Sequence, residues 1–195
     1  MSLKKVFYFF LFALLLQSGV SIGESVASSL FLVNIGFEQL PIIYILTPIV
    51  MILVYIPIYS HFVKRYSEDK FFKVALITLT LINILIVFSI KFLKVYLHPS
   101  LFNLLFYFVM LYTIIWATAL YTLFWNFIDS FFDILDSKRI FSIFSAGTAI
   151  GAILGGTLVS VLTQFFAAVD LLIIWSLFAL LTLATLVLID KKYKK

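Results

Sequence analysis

The 195-residue chain has a mass of 22.3 kDa, is 64% apolar and only 12% charged, and has a mean hydropathy of +1.19. Soluble domains are roughly 45–50% apolar and about 25% charged, so this chain has too few polar side chains to cover a water-facing surface. That excludes a soluble globular protein, a disordered chain and a nucleic-acid-binding module, even with a net charge of +5. The composition fits an all-α bundle of helices dissolved in a lipid bilayer. The absence of cysteine excludes disulfides, thiolate nucleophiles and Cys-bound metal. His61 and His98 lie far apart and no HExxH spacing occurs, so neither a metal nor a cofactor is expected.

A spanning helix needs about 20 mostly apolar residues, because the hydrocarbon core is about 30 Å thick and a helix rises about 1.5 Å per residue. A lipid-exposed strand would leave backbone groups unpaired, so helix is the only option. On this rule six spans are expected, at about 6–33, 40–62, 74–93, 101–128, 143–163 and 171–189. The second contains Pro41, Pro48 and Pro57. Polar stretches at 64–70 and 133–139 and a tight turn at 166–170 connect them, with no soluble domain, so a single membrane domain covers residues 1–195. Lys4-Lys5 and the apolar run to Leu16 resemble a signal peptide, but the apolar character resumes after Glu24 and completes a span.

Six spans put both termini on one side of the membrane. That side collects every Lys and Arg except Lys91 and Lys94. The positive-inside bias makes it the cytoplasmic side of a plasma membrane, with a bacterial inner membrane the expected setting.

The candidate functional residues are the polar ones held at membrane depth, since such groups normally face the bundle interior or a wet cavity. In the first span Gln17, Ser21, Glu24 and Ser28 share one helical face. Gly19, Gly23 and Ala27 form a neighbouring small-residue stripe suited to close helix contact. This helix should be central, with its polar face towards a solvated path. Glu24 then reads as an ion or substrate contact, or as a structural carboxylate paired with serines or with a lysine such as Lys91. In the fourth span Thr118, Thr122, Trp125 and Asp129 share a face beside Tyr121 and Asn126. They read equally as a solute pathway or as an interfacial aromatic belt. In the fifth span Gly147, Gly151 and Gly155 stand at strict four-residue spacing with Gly156 beside them, a pattern that lets another helix approach closely.

The segment from Ser145 to Leu158 resembles the glycine-rich motif, usually written GxxxGPxxGG, on the fifth helix of major facilitator superfamily transporters. Gly151-Ala152 stands here where that motif has Gly-Pro. The loop after the second span, with Lys64 and Arg65, resembles the superfamily's basic cytoplasmic loop but lacks its Gly and Asp before the Arg. The run from Asp136 to Phe141, containing Lys138 and Arg139, is similar to a segment of ATP/ADP nucleotide translocase-like members. Six helices with both ends cytoplasmic match the N-terminal half of such a transporter, so the resemblance covers essentially the whole chain.

The resemblance implies that the first and fourth helices line a central cavity, with Glu24 and the Thr122/Asn126 face opposed across water, and that Lys64, Arg65, Lys138 and Arg139 belong to cytoplasmic gating loops. It also implies a second six-helix half, supplied by a homodimer partner, another chain or a longer transporter, around a site for a small solute. A nucleotide is a possible solute, although neither cavity face carries Lys or Arg. The other class of function is a non-transporting scaffold or assembly subunit, in which packed side chains would fill the Glu24 face. An intramembrane enzyme is not expected, because no nucleophile–histidine pair, intramembrane aspartate pair or metal cluster is present in the sequence.

Overall fold

The computed structural model describes residues 3–93, 98–132 and 134–193, without the side chains of 93, 99–100 and 134–139. The described residues form six long helices: α1 (Leu3–Asn34), α2 (Phe37–Arg65), α3 (Glu68–Leu93), α4 (Pro99–Asp129), α5 (Ile134–Leu162) and α6 (Leu171–Tyr193). Each of the six is long and apolar enough to cross a membrane. Among the described residues there is no strand.

The breaks between helices have local causes. Gly36, with φ of +101°, turns the chain between α1 and α2 in a conformation that side-chain-bearing residues rarely adopt. Tyr66 takes an extended conformation and ends α2, while Glu68 and Asp69 open α3 and favour its positive N-terminal dipole end. A 3₁₀ turn, Ala168–Asp170, leads into α6. Within α2 a π turn at Met51–Tyr55 lies between Pro48 and Pro57. Proline removes a backbone donor and crowds the preceding turn, so a widened turn accommodates the pair.

The helices run past the apolar limits in the sequence, most clearly at α5. Residues 134–139, expected as a polar connection, are helical in their backbone. They contain no Gly or Pro, and a helix need not stop where the oil stops. The expected polar loop at 64–70 likewise shrinks to a break at Tyr66 and Ser67 between two helices.

The centre of the bundle is α1, which packs against α4, α5 and α6, while α3 packs against α4 and α6. Near the termini Phe9 and Phe12 meet the rings of Phe124, Phe127 and Phe144, all fully or almost fully buried. The first turns of α1 and the last turn of α6 lie together, with Lys192 Nζ 4.7 Å from the centre of the Tyr8 ring. A buried polar link joins three helices: Tyr112 of α4 donates to Asn83 Oδ1 of α3 at 3.0 Å, and Asn83 Nδ2 reaches the Leu172 carbonyl of α6 at 3.5 Å. Ion pairs tie α3 at both ends, Lys73 to Asp190 at 2.5 Å and Lys91 to Asp170. By contrast, α2 and α5 bury little of their surface within the chain. In α2 only Ile43 is fully covered.

Candidate functional site

The polar face of α1 divides between two neighbours. Its first half meets α5, where the glycine stripe lets the two backbones come together. A β-carbon on Gly151 would stand 2.5 Å from the Leu14 carbonyl oxygen and 3.2 Å from Gln17 Cβ, and one on Gly155 would collide with the Ser18 carbonyl oxygen. Ser21 Oγ then crosses the contact and donates to the Ala152 carbonyl at 3.1 Å. Gln17 and Ser21 therefore flank a tight helix–helix contact.

The second half of that face is open. Glu24 and Ser28 share a cleft of about 380 Å³ with Tyr44 and Thr47 of α2 and with Met110, Thr113 and Ile114 of α4. Glu24 is exposed, and among the described residues its carboxylate makes no hydrogen bond or ion pair. Lys91, weighed above as its partner, pairs instead with Asp170. Thr113 is 1% exposed and, among the described residues, its Oγ1 has no hydrogen-bond partner.

The glycines in the small-residue stripe of α1 meet side chains of α6, Trp175 and Phe178, and not its backbone. Trp175 of α6, 1% exposed, lies flat over Gly23, where an added β-carbon would come within 2.5 Å of its ring, and reaches Gly19 at 3.1 Å. Gly156, grouped above with the packing glycines, differs from the other three in α5. A β-carbon there would meet nothing within 4 Å, because it points away from α1.

On α4, Thr118 and Thr122 donate to carbonyls of their own helix, at Ile114 and Thr118. Asn126 Nδ2 donates to Tyr59 Oη of α2 at 2.6 Å, and Trp125 packs edge-on against Tyr121, Phe124 and Phe141. Asp129 is exposed at the helix end. Beside this group lies an apolar cavity of about 310 Å³ between α2, α3 and α4, lined by Tyr55, Tyr59, Phe62, Phe71, Trp116 and their neighbours. On α4 the Glu24 cleft is lined by Met110, Thr113 and Ile114, so Thr122 and Asn126, about two turns or more further along the helix, do not face Glu24 across it. Lys64 and Arg65 are exposed on the last turn of α2. The side chains of Lys138 and Arg139 lie outside the described residues.

Reading polar residues at membrane depth from the sequence picked out Glu24 but missed Thr47, Thr113, Asn83 and Tyr112. All four are polar groups inside apolar runs, a signal that many other residues of the chain share, so the sequence alone did not set them apart.

Fold and composition together define an all-α polytopic membrane protein with six membrane-spanning helices. Comparison with protein-family models, with curated proteins and with solved structures finds no match.

Proposed function

We propose that the chain is one six-helix half of a secondary transporter of the major facilitator kind, moving a small solute across the membrane by alternating access. The observation that carries this reading is Glu24. An ionisable group on the central helix, without a partner among the described residues and open to a cleft between three helices, is costly at membrane depth and is characteristic of an ion or substrate path. The sparse burial of α2 and α5 supports the need for a second six-helix unit, as two halves around one site require. The excess of basic residues on the side of the termini supports cytoplasmic ends in a plasma membrane. Among the described residues no Lys or Arg lines the cleft, which disfavours a nucleotide as the solute unless the second half supplies the cations.

A scaffold role draws its support from Gln17 and Ser21, which are engaged in packing against α5. The natural absence of cysteine makes the two readings separable. A single Ser28→Cys substitution in proteoliposomes is expected to react with a membrane-impermeant thiol reagent from either side, with proportions that change when an ion gradient is imposed. Labelling from one side only, indifferent to gradients, would reject transport and leave the scaffold.

A further inference from the structure

The side chains that line the cleft with Glu24 define a ligand class more closely than the transport reading does. The cleft holds one carboxylate and the hydroxyl side chains of Ser28, Thr47 and Thr113, with Tyr44 among its lining residues. Among the described residues that line it there is no Lys, Arg or His, and Lys91 is held by Asp170.

Thr113 is the second, independent sign. A buried threonine in a helix ordinarily donates to the carbonyl a turn earlier, as Thr80 and Thr182 do here to Leu76 and Phe178. Thr113 does not, although it is 1% exposed, and an unpaired buried hydroxyl opposes folding unless something else satisfies it. Thr47 donates its proton to the Ile43 carbonyl at 2.7 Å, so lone pairs on its oxygen stay available to an electron-poor ligand.

We propose that the Glu24 cleft binds an alkali cation, with the Glu24 carboxylate supplying the charge and the hydroxyls of Ser28, Thr47 and Thr113 supplying neutral oxygen ligands. One negative charge neutralises one positive charge. An anion would be repelled by Glu24. A calcium ion takes more oxygens and commonly several carboxylates, and here it would leave a net positive charge in apolar surroundings. Magnesium dehydrates reluctantly and suits such a site no better.

This inference deepens the transport reading, since such a cation would be the coupling ion, but its test requires no transport. The full chain, purified in detergent, is unfolded thermally at fixed pH and ionic strength in choline chloride, sodium chloride or potassium chloride. A ligand that binds only the folded state raises the Tm in a saturable manner. Sodium or potassium is expected to do so and choline is not, and comparing the two alkali salts shows which ion the site prefers.

Thr113→Val, nearly isosteric, is expected to be at least as stable as the wild type in choline, because it removes an unpaired hydroxyl, yet to lose the alkali-cation response. Thr113→Ser should keep the response and Glu24→Gln should lose it. Equal Tm values in all three salts overturn the proposal, as does a sodium or potassium response that survives in both Thr113→Val and Glu24→Gln. Cation binding together with one-sided thiol labelling sustains the site and rejects transport. Gradient-dependent labelling without cation binding does the reverse.

Discussion

Gly151 faces the backbone of Leu14 so closely that a β-carbon in place of its hydrogen would lie 2.5 Å from the Leu14 carbonyl oxygen. The obstacle is main chain, which no rotamer change can move aside. Gly151→Ala is therefore expected to push α1 and α5 apart and to cost about 1–3 kcal/mol, the usual range for overpacking. Gly156→Ala, one turn along and facing away, should be neutral or should stabilise the helix by up to about 1 kcal/mol through helix propensity. Thermal unfolding of the two variants in detergent compares them directly. Equal losses would mean that the stripe is not the contact between these helices.

Gly23 and Trp175 form a second steric pair, of a different kind. The β-carbon of Gly23→Ala would enter the Trp175 ring at 2.5 Å, and the buried ring is hemmed in by α1 and Tyr112. A loss of about 1–3 kcal/mol is expected. Because the obstruction is a side chain, Trp175→Leu in the same protein should recover part of it. A double-mutant cycle with a coupling of about 0.5–3 kcal/mol would establish the contact, and strict additivity would refute it.

Tyr112 and Asn83 hold α3, α4 and α6 together where no water is available. Tyr112→Phe leaves Asn83 Oδ1 without its donor and is expected to cost about 1–3 kcal/mol, while Asn83→Leu in the Tyr112→Phe background should cost much less than in the wild type. The measurement is again Tm in detergent, with near-UV circular dichroism reporting on the packing of Trp175 against the ring at position 112.

The two ion pairs of α3 should differ in weight. The side chains of Lys73 and Asp190 are 26% and 16% exposed, whereas Lys91 is 48% exposed. Lys73→Met is expected to cost about 1.5–3 kcal/mol, the range for hydrogen bonds to charged groups. Lys91→Met should cost less than about 1 kcal/mol and become insensitive to added salt, as exposed pairs do. The reverse ranking would place Asp170 as the stronger anchor.

Glu24→Gln preserves size and removes only the charge. Since no protein group depends on that carboxylate among the described residues, stability in choline should change by no more than about 0.5 kcal/mol. The gradient dependence of Ser28→Cys labelling should disappear in the same variant. Unaltered gradient dependence would remove Glu24 from the mechanism.

The amino-acid sequence by itself determined the number and order of the helices, because each apolar run is long enough to cross a bilayer and no other structure satisfies a backbone in oil. It also showed that the glycines at 147, 151 and 155 favour a close contact, since spacing alone aligns them on one face. It did not show which helix would fill that face. Gln17, Ser21, Glu24 and Ser28 are one stripe in sequence, yet a stripe along a helix can pass from one neighbour to another where helices cross. Here the first two residues close against α5 and the last two open on α2 and α4. Only the tertiary structure could separate them. It also singled out Thr113, because whether a hydroxyl is buried and unpaired depends on neighbours that lie far away along the chain.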